Sequence, residues 1–187
     1  MNEKLEKVKK LVERECKELG FAPEWFFEEH LSVVNKKAKW ILKKAPEANK
    51  EIVLLGTWLH DIQRVRGIKM EHQEGGAQEA EKIMREFGYP DELIKKVKSI
   101  ILTHSCRGNN LPTTIEGQIL ATADAMAHYT TDFFLRIALI SDMTIKEYKE
   151  WALIKLEKNY NVKISFDFAK ETVKDRHDTI KKFIEGE

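Results

Sequence analysis

The chain has 187 residues, about one domain's worth at roughly 150 residues per domain. Apolar residues make up 42% and charged residues 34%, enough for a packed interior beneath a heavily solvated surface, and this argues against disorder. Thirty-two Lys and Arg against 31 Asp and Glu leave a formal charge of +1, so no global basic field draws the chain to nucleic acid or an anionic membrane. Any anion affinity must be local.

Cys16 and Cys106 stand alone, which excludes a cysteine-rich zinc module and a disulfide framework and fits a reducing compartment. The first twenty residues alternate charged and apolar positions, unlike a signal peptide. No run of about 18 apolar residues is available to cross a membrane. A soluble cytoplasmic protein is expected.

Apolar residues recur at helical spacing almost throughout, without sustained period-two alternation, and predict an all-α, single-domain helical bundle of about eight helices. The first runs from about Glu3 to Leu19, with Leu5, Val8, Leu11 and Val12 inward and Gly20 as a left-handed cap. Pro23 opens a second, carrying Phe26, Phe27, His30, Val33, Val34, Ala38 and Ile41. Pro46 opens a third with Ile52, Leu55, Gly56, Leu59 and His60 on one face. A loop about Gly67 leads to a fourth, from near Gln73 to Gly88.

Asp91 is expected to cap a fifth helix whose stripe is Leu93, Val97, Ile100, Ile101 and His104. Thr113 with Glu116 reads as the capping box of a long sixth, reaching towards Ile140 through Leu120, Asp124 and Ala127. Thr144 with Glu147 repeats that signature, and a last helix runs from about Asp167 to Ile184. The intervening VKISF is expected to be short and extended. His177, on a charged helix, is expected at the surface.

Four polar residues occupy positions where the pattern demands apolar ones: His30, His60, His104 and Asp124. Taken singly, each is most simply a hydrogen-bonded core residue. On four different helices, they are most simply reconciled by meeting around one buried cation. Asp61, beside His60, strengthens this, and with His72 the order becomes H, HD, H, H, D. Imidazole and carboxylate without thiolate suit zinc, iron, manganese, cobalt or nickel rather than calcium.

Here the sequence resembles the HD-domain superfamily of metal-dependent phosphohydrolases, in particular its small stand-alone members. The matching stretches are EEHLSVV, LLGTWLHDIQR, EHQEGGAQEAEKIM, SIILTHS and ILATADAMAHY, from about Glu28 to Tyr129. The motif-bearing core is placed at residues 21–142, with additional C-terminal helices at 143–187. The resemblance implies that His30, His60, Asp61 and Asp124 bind one divalent transition metal. It implies a second ion, in dinuclear branches, at His72 and His104, with Asp61 bridging.

Hydrolysis of a small-molecule phosphate ester or nucleotide is the implied activity, with Asp61 bridging ions or orienting water. Arg64, one turn beyond the His-Asp pair, can face the site with a fork that matches phosphate oxygens, and Arg107 is a weaker candidate. Gly75 and Gly76 lack the lysine and serine of a phosphate-binding loop and read as close helix packing. His128, four residues after Asp124, reads as an ordinary partner. Two alternatives remain: a mixed-valent di-iron oxygenase on the same ligand set, and a helical binding module without catalysis.

Overall fold

Leu5, Val8, Val12 and Cys16 recur one turn apart, and their burial fixes α1 (Glu3–Glu18), closed by Gly20 at φ +70° where a side chain would be strained. The computed structural model describes residues 3–68, 72–108 and 110–186, without the side chains of residues 72 and 73. After a turn in which the Phe26 N–H donates to the Pro23 carbonyl (2.9 Å), a π turn, Phe27–Leu31, leads directly into α2 (Ser32–Leu42). Then α3 (Lys50–Leu59) begins at Asn49, whose side chain accepts from the Glu51 and Ile52 N–H groups. Asn49, rather than Pro46, sets that start because it satisfies two otherwise orphaned donors.

A short α4 (Ile62–Val65) follows, then α5 (His72–Glu86) and α6 (Asp91–Thr103). Asp91 does not cap α6. It is the first helical residue, Pro90 takes the cap position, and the carboxylate bonds to the Arg85 guanidinium at 2.6 Å instead. The central α7 (Ile115–Thr130) is capped by Thr114, not Thr113, and the Glu116 carboxylate accepts from the Asn49 N–H rather than closing a capping box. At Thr131 the backbone becomes extended, so the expected long sixth helix is two: α7 and α8 (Phe133–Ile140).

The Thr144–Glu147 capping box is present and starts α9 (Ile145–Lys158). A second π turn, Asn159–Lys163, continues from it, and α10 (Asp167–Glu185) ends the bundle at a left-handed Gly186. The VKISF segment is therefore divided: Val162 and Lys163 finish the π turn, and only residues 164–166 are outside a helix. Among the described residues the architecture is all-α, with no strand. None of their helices is long and apolar enough to cross a membrane.

Nearly every residue of α7 from Ile119 to Tyr129 is buried, as expected of a helix that is apolar on all sides. Its alanines at 121, 123, 125 and 127 let neighbours approach closely, and α2, α3, α6, α10 and the second π turn all pack on it. Gly76 plays the same part elsewhere. A Cβ there would lie 3.2 Å from the His60 carbonyl, and one at Gly75 would lie 3.0 Å from the Gln63 amide, so these glycines pack α5 against the end of α3 and against α4.

The wholly buried Tyr129 ties α7 to α9 by donating its hydroxyl to the Leu156 carbonyl at 2.7 Å. Tyr129→Phe should cost about 0.5–1.5 kcal/mol, the net value of one hydrogen bond. That corresponds to a fall in Tm of about 1–6 °C at this chain length, read by thermal circular dichroism. An unchanged Tm would show that this bond does not hold the C-terminal helices to the core.

Candidate metal centre

Three of the site's side chains sit where helices end. His60 terminates α3, and its Nδ1–H donates to the Thr57 carbonyl at 3.1 Å. His104 terminates α6 and does the same to the Ile101 carbonyl at 2.6 Å. In each, the bond to the carbonyl three residues back fixes the tautomer, so that Nε2 is the ring nitrogen carrying the lone pair. Asp61 lies in the break between α3 and α4, at φ −114° and ψ 18°. Helix C-termini carry partial negative charge, so the ends of α3 and α6 favour a cation between them.

His30 comes from the first π turn, where the wider i→i+5 turn inserts a residue and brings the imidazole inward. Its Nε2 lies 3.5 Å from Asp61 Oδ2 and 3.4 Å from Asp124 Oδ1. His60 Nε2 lies 3.8 Å from each of the same two oxygens. His60 is wholly buried, and this Nε2 has no hydrogen-bond partner. An orphaned imidazole nitrogen facing two carboxylates fits a metal ion.

Two overlapping groups have ligand atoms close enough to hold one: His30, His60 and Asp124, and His60, Asp61 and His104. Because Thr57 engages its Nδ1, His60 can serve both groups only through Nε2. Of the residues expected here, His30, His60, Asp61, His104 and Asp124 thus converge. His72 begins α5, but its side chain lies outside the described residues.

The pattern of charge follows from burial. Burial alone would raise the Asp124 carboxyl, but the Lys163 ammonium bonded to Oδ2 holds it well below the ordinary range. For His60, burial acts downwards and is outweighed by Asp61 and Asp124, so its net shift is upwards in the absence of metal. His104 falls to about 3, chiefly through burial and then through the charge of His60.

His128 is also part of the cluster. Its ring stacks on His30 at 5.4 Å, its Nδ1 accepts from the Asn159 amide at 3.1 Å, and its Nε2–H faces Asp124 Oδ1 at 3.6 Å. Burial pushes it well below the usual imidazole range, so it is neutral and braces the carboxylate. Beyond the cluster opens a cavity of about 380 Å3, large enough for a small ligand. Arg64, stacked over Phe26 at 5.6 Å, and Arg107 line it, with Lys155, Lys158 and Lys163.

The three lysines and Asn159 escape a reading confined to the family motifs. Lys155 and Asn159 nevertheless fall on the same stripe as the buried Ala152 and Leu156, the signal that singles out His30 and Asp124. His177 is not at the surface. It is buried, stacks on Tyr160 at 4.4 Å and bonds to the Asp178 carboxylate, because α10 turns this face onto the second π turn.

An all-α bundle with histidines and aspartates converging on one point defines a candidate metalloprotein of the His-Asp type. The family model described as HD domain matches residues 27–128, more than half the chain, and the chain belongs to the HD-domain family. It is similar in fold to an HD-superfamily hydrolase from Bacillus thuringiensis, at 20% identity and a TM-score of 0.70, covering 98% of this chain and 94% of that one. Comparison with curated proteins gives no match.

His104 also predicts a pH dependence. Its pKa of about 3 in the folded chain lies below the ordinary 6.5, so the stability its neutral form contributes is present above 6.5 and is lost as pH falls towards 3. Metal-free protein should lose up to about 1.4 kcal/mol per pH unit over this window from His104 alone. His104→Gln should flatten the slope of urea-unfolding stability against pH, and an identical slope in both proteins would contradict a buried neutral imidazole.

Proposed function

We propose that the protein is a metal-dependent phosphohydrolase that cleaves a small phosphate ester with water. The observation that carries this is the convergence of His30, His60, Asp61 and Asp124 around the unpartnered Nε2 of His60, at one end of a cation-lined cavity. His30, His60 and Asp124 would hold one ion, and Asp61 with His104 would share it or hold a second. When bound, a divalent ion supplies an acidified water and neutralises charge on a phosphoryl oxygen.

The chain's own residues do the rest. Asp61, beside two ligand histidines and open to the cavity, orients the attacking water. Arg64 offers a planar pair of N–H donors to phosphoryl oxygens, and its stacking on Phe26 holds the guanidinium at the site. His128 and Lys163 hold Asp124 from two sides, which keeps the carboxylate ionised. In the reaction the water oxygen bonds to phosphorus, the ester P–O bond breaks, and the leaving oxygen takes up a proton.

Elemental analysis of protein purified without chelator, followed by a panel of phosphate esters with manganese, iron, cobalt, nickel or zinc, tests this reading. Bound metal and phosphate release are expected, and metal without turnover on any ester would overturn it. Asp61→Ala should abolish release and strip bound metal. Arg64→Ala should keep its metal and lose about 10–100-fold in kcat/KM, the effect of one bidentate charged contact. If the centre is dinuclear, His104→Ala should retain about one ion of two and lose activity.

A further inference from the structure

Five cations surround the cavity against two carboxylates, Asp61 and Asp124. A bound divalent ion adds to this excess. Lys163 is already bonded to Asp124, whereas Arg64, Lys155 and Lys158 form no ion pair among the described residues, Asp124 and Asp61 acting on Lys155 only at longer range. Lys155 is half-buried, its ammonium over the Phe133 ring at 5.4 Å. Burial, and then the charge of Lys163, lowers its pKa to about 8.

Such a cluster is costly to the free protein, because desolvation and like charge both oppose the ammonium form. An anion relieves both. One phosphoryl group at the metal centre already finds the ion and Arg64 as partners, and Lys155 and Lys158 are then in excess of what a single phosphate requires. Both stand on α9, outside residues 27–128 that match the family model. Phe133, Ile137, Trp151 and Ile154 supply apolar lining beside the polar Ser105 and Asn159, and Ile154 is 70% exposed.

We propose that Lys155 and Lys158 form a second phosphate subsite beside the metal centre, so that the pocket takes an organic di- or triphosphate whose organic end lies against Trp151 and Ile154. This names the substrate class for the hydrolase reading and rests on it only for turnover. Binding of the anion does not require catalysis. The lysines act as phosphate contacts: each contributes a compact charge with rotatable donors, suited to successive phosphates along a chain.

The test has a binding arm and a kinetic arm. Inorganic phosphate, pyrophosphate and tripolyphosphate are titrated calorimetrically into metal-free wild type, Lys155→Gln, the Lys155→Gln/Lys158→Gln pair, and Lys155→Arg as the charge-keeping control. Affinity should climb with chain length in wild type and in Lys155→Arg. The paired variant should lose about tenfold or more for tripolyphosphate, the effect of removing a charge-assisted hydrogen bond, and much less for phosphate. Thermal melting verifies that each variant is folded.

In the kinetic arm, mono-, di- and triphosphate esters of one organic group are compared on metal-loaded protein, with the variants raising KM for the longer esters selectively and leaving metal content unchanged. An affinity series that is flat in wild type, or equally weakened at every length, overturns the subsite. If the series behaves as expected but no ester is hydrolysed, the subsite stands and the hydrolase reading falls. If esters are cleaved without dependence on length or on Lys155, the reverse holds.

Discussion

The structure depends on keeping one carboxylate ionised in the middle of its most buried helix. Asp124 stands on α7 among alanines and aliphatic side chains, where an unpaired charge would cost several kcal/mol or take up a proton. Its position is made tenable by Lys163 on one oxygen and three imidazoles about the other. Lys163 is carried by the second π turn, which is also held to α7 by Thr122 bonding to the Lys163 carbonyl and by Asn159 bonding to His128. The C-terminal helices are therefore part of the site. Removing one partner of a buried pair costs far more than the pair contributes, so the core motif and the C-terminal addition are bound to each other energetically.

The remaining geometry follows from where helices stop. His60 and His104 use the same device at the ends of α3 and α6, each spending one nitrogen on a carbonyl of its own last turn. The ring is then held by backbone, and the other nitrogen is aimed by the helix axis. Gly76 lets α5 approach the His60 carbonyl, so the packing of a fourth helix stiffens the same point. A π turn on each side of α7's contacts supplies His30 and Lys163 from sequence positions that a regular helix would rotate away.

Much of this was legible in the sequence because burial imposes a periodicity, and a polar residue that violates it needs a reason. That test found His30, His60, His104 and Asp124, and the adjacency of Asp61 completed the pattern. Helix ends were less legible, since Asn49 and Thr114 compete with nearby residues of similar capping ability, and the choice is made by tertiary partners such as Asn49 and Glu116 for each other. The break at Thr131 carries no glycine or proline. His177 was misread because a helix rich in charge still buries one face, and Tyr160, its partner there, is on a segment whose π turn has no sequence signature. Lys155 and Lys163 lay outside the motifs: the stripe of Ala152 and Leu156 marks Lys155, but Lys163 is carried inward by a π turn that has no such periodicity.

The net charge of the chain is nearly zero, yet the surroundings of the cavity are strongly positive, and it is the local figure that governs ligand choice. Charges interact appreciably only within about 8–10 Å at ordinary ionic strength, so the many acidic side chains on the outer faces do little to offset Arg64, Lys155 and Lys158 across a partly dehydrated cavity. The acidic and imidazole groups come from the helices of the family motif, and three of the five cations come from α9 and the π turn that follows it. On the reading proposed above, that placement would divide the labour: the motif would set what ion and what bond chemistry the cluster supports, and the C-terminal segment would set how much negative charge a ligand must bring. Substitutions in α9 would then alter the ligand while the histidines and aspartates stay in place, whereas Lys163, in the π turn beyond it, is bonded to Asp124 and would affect both.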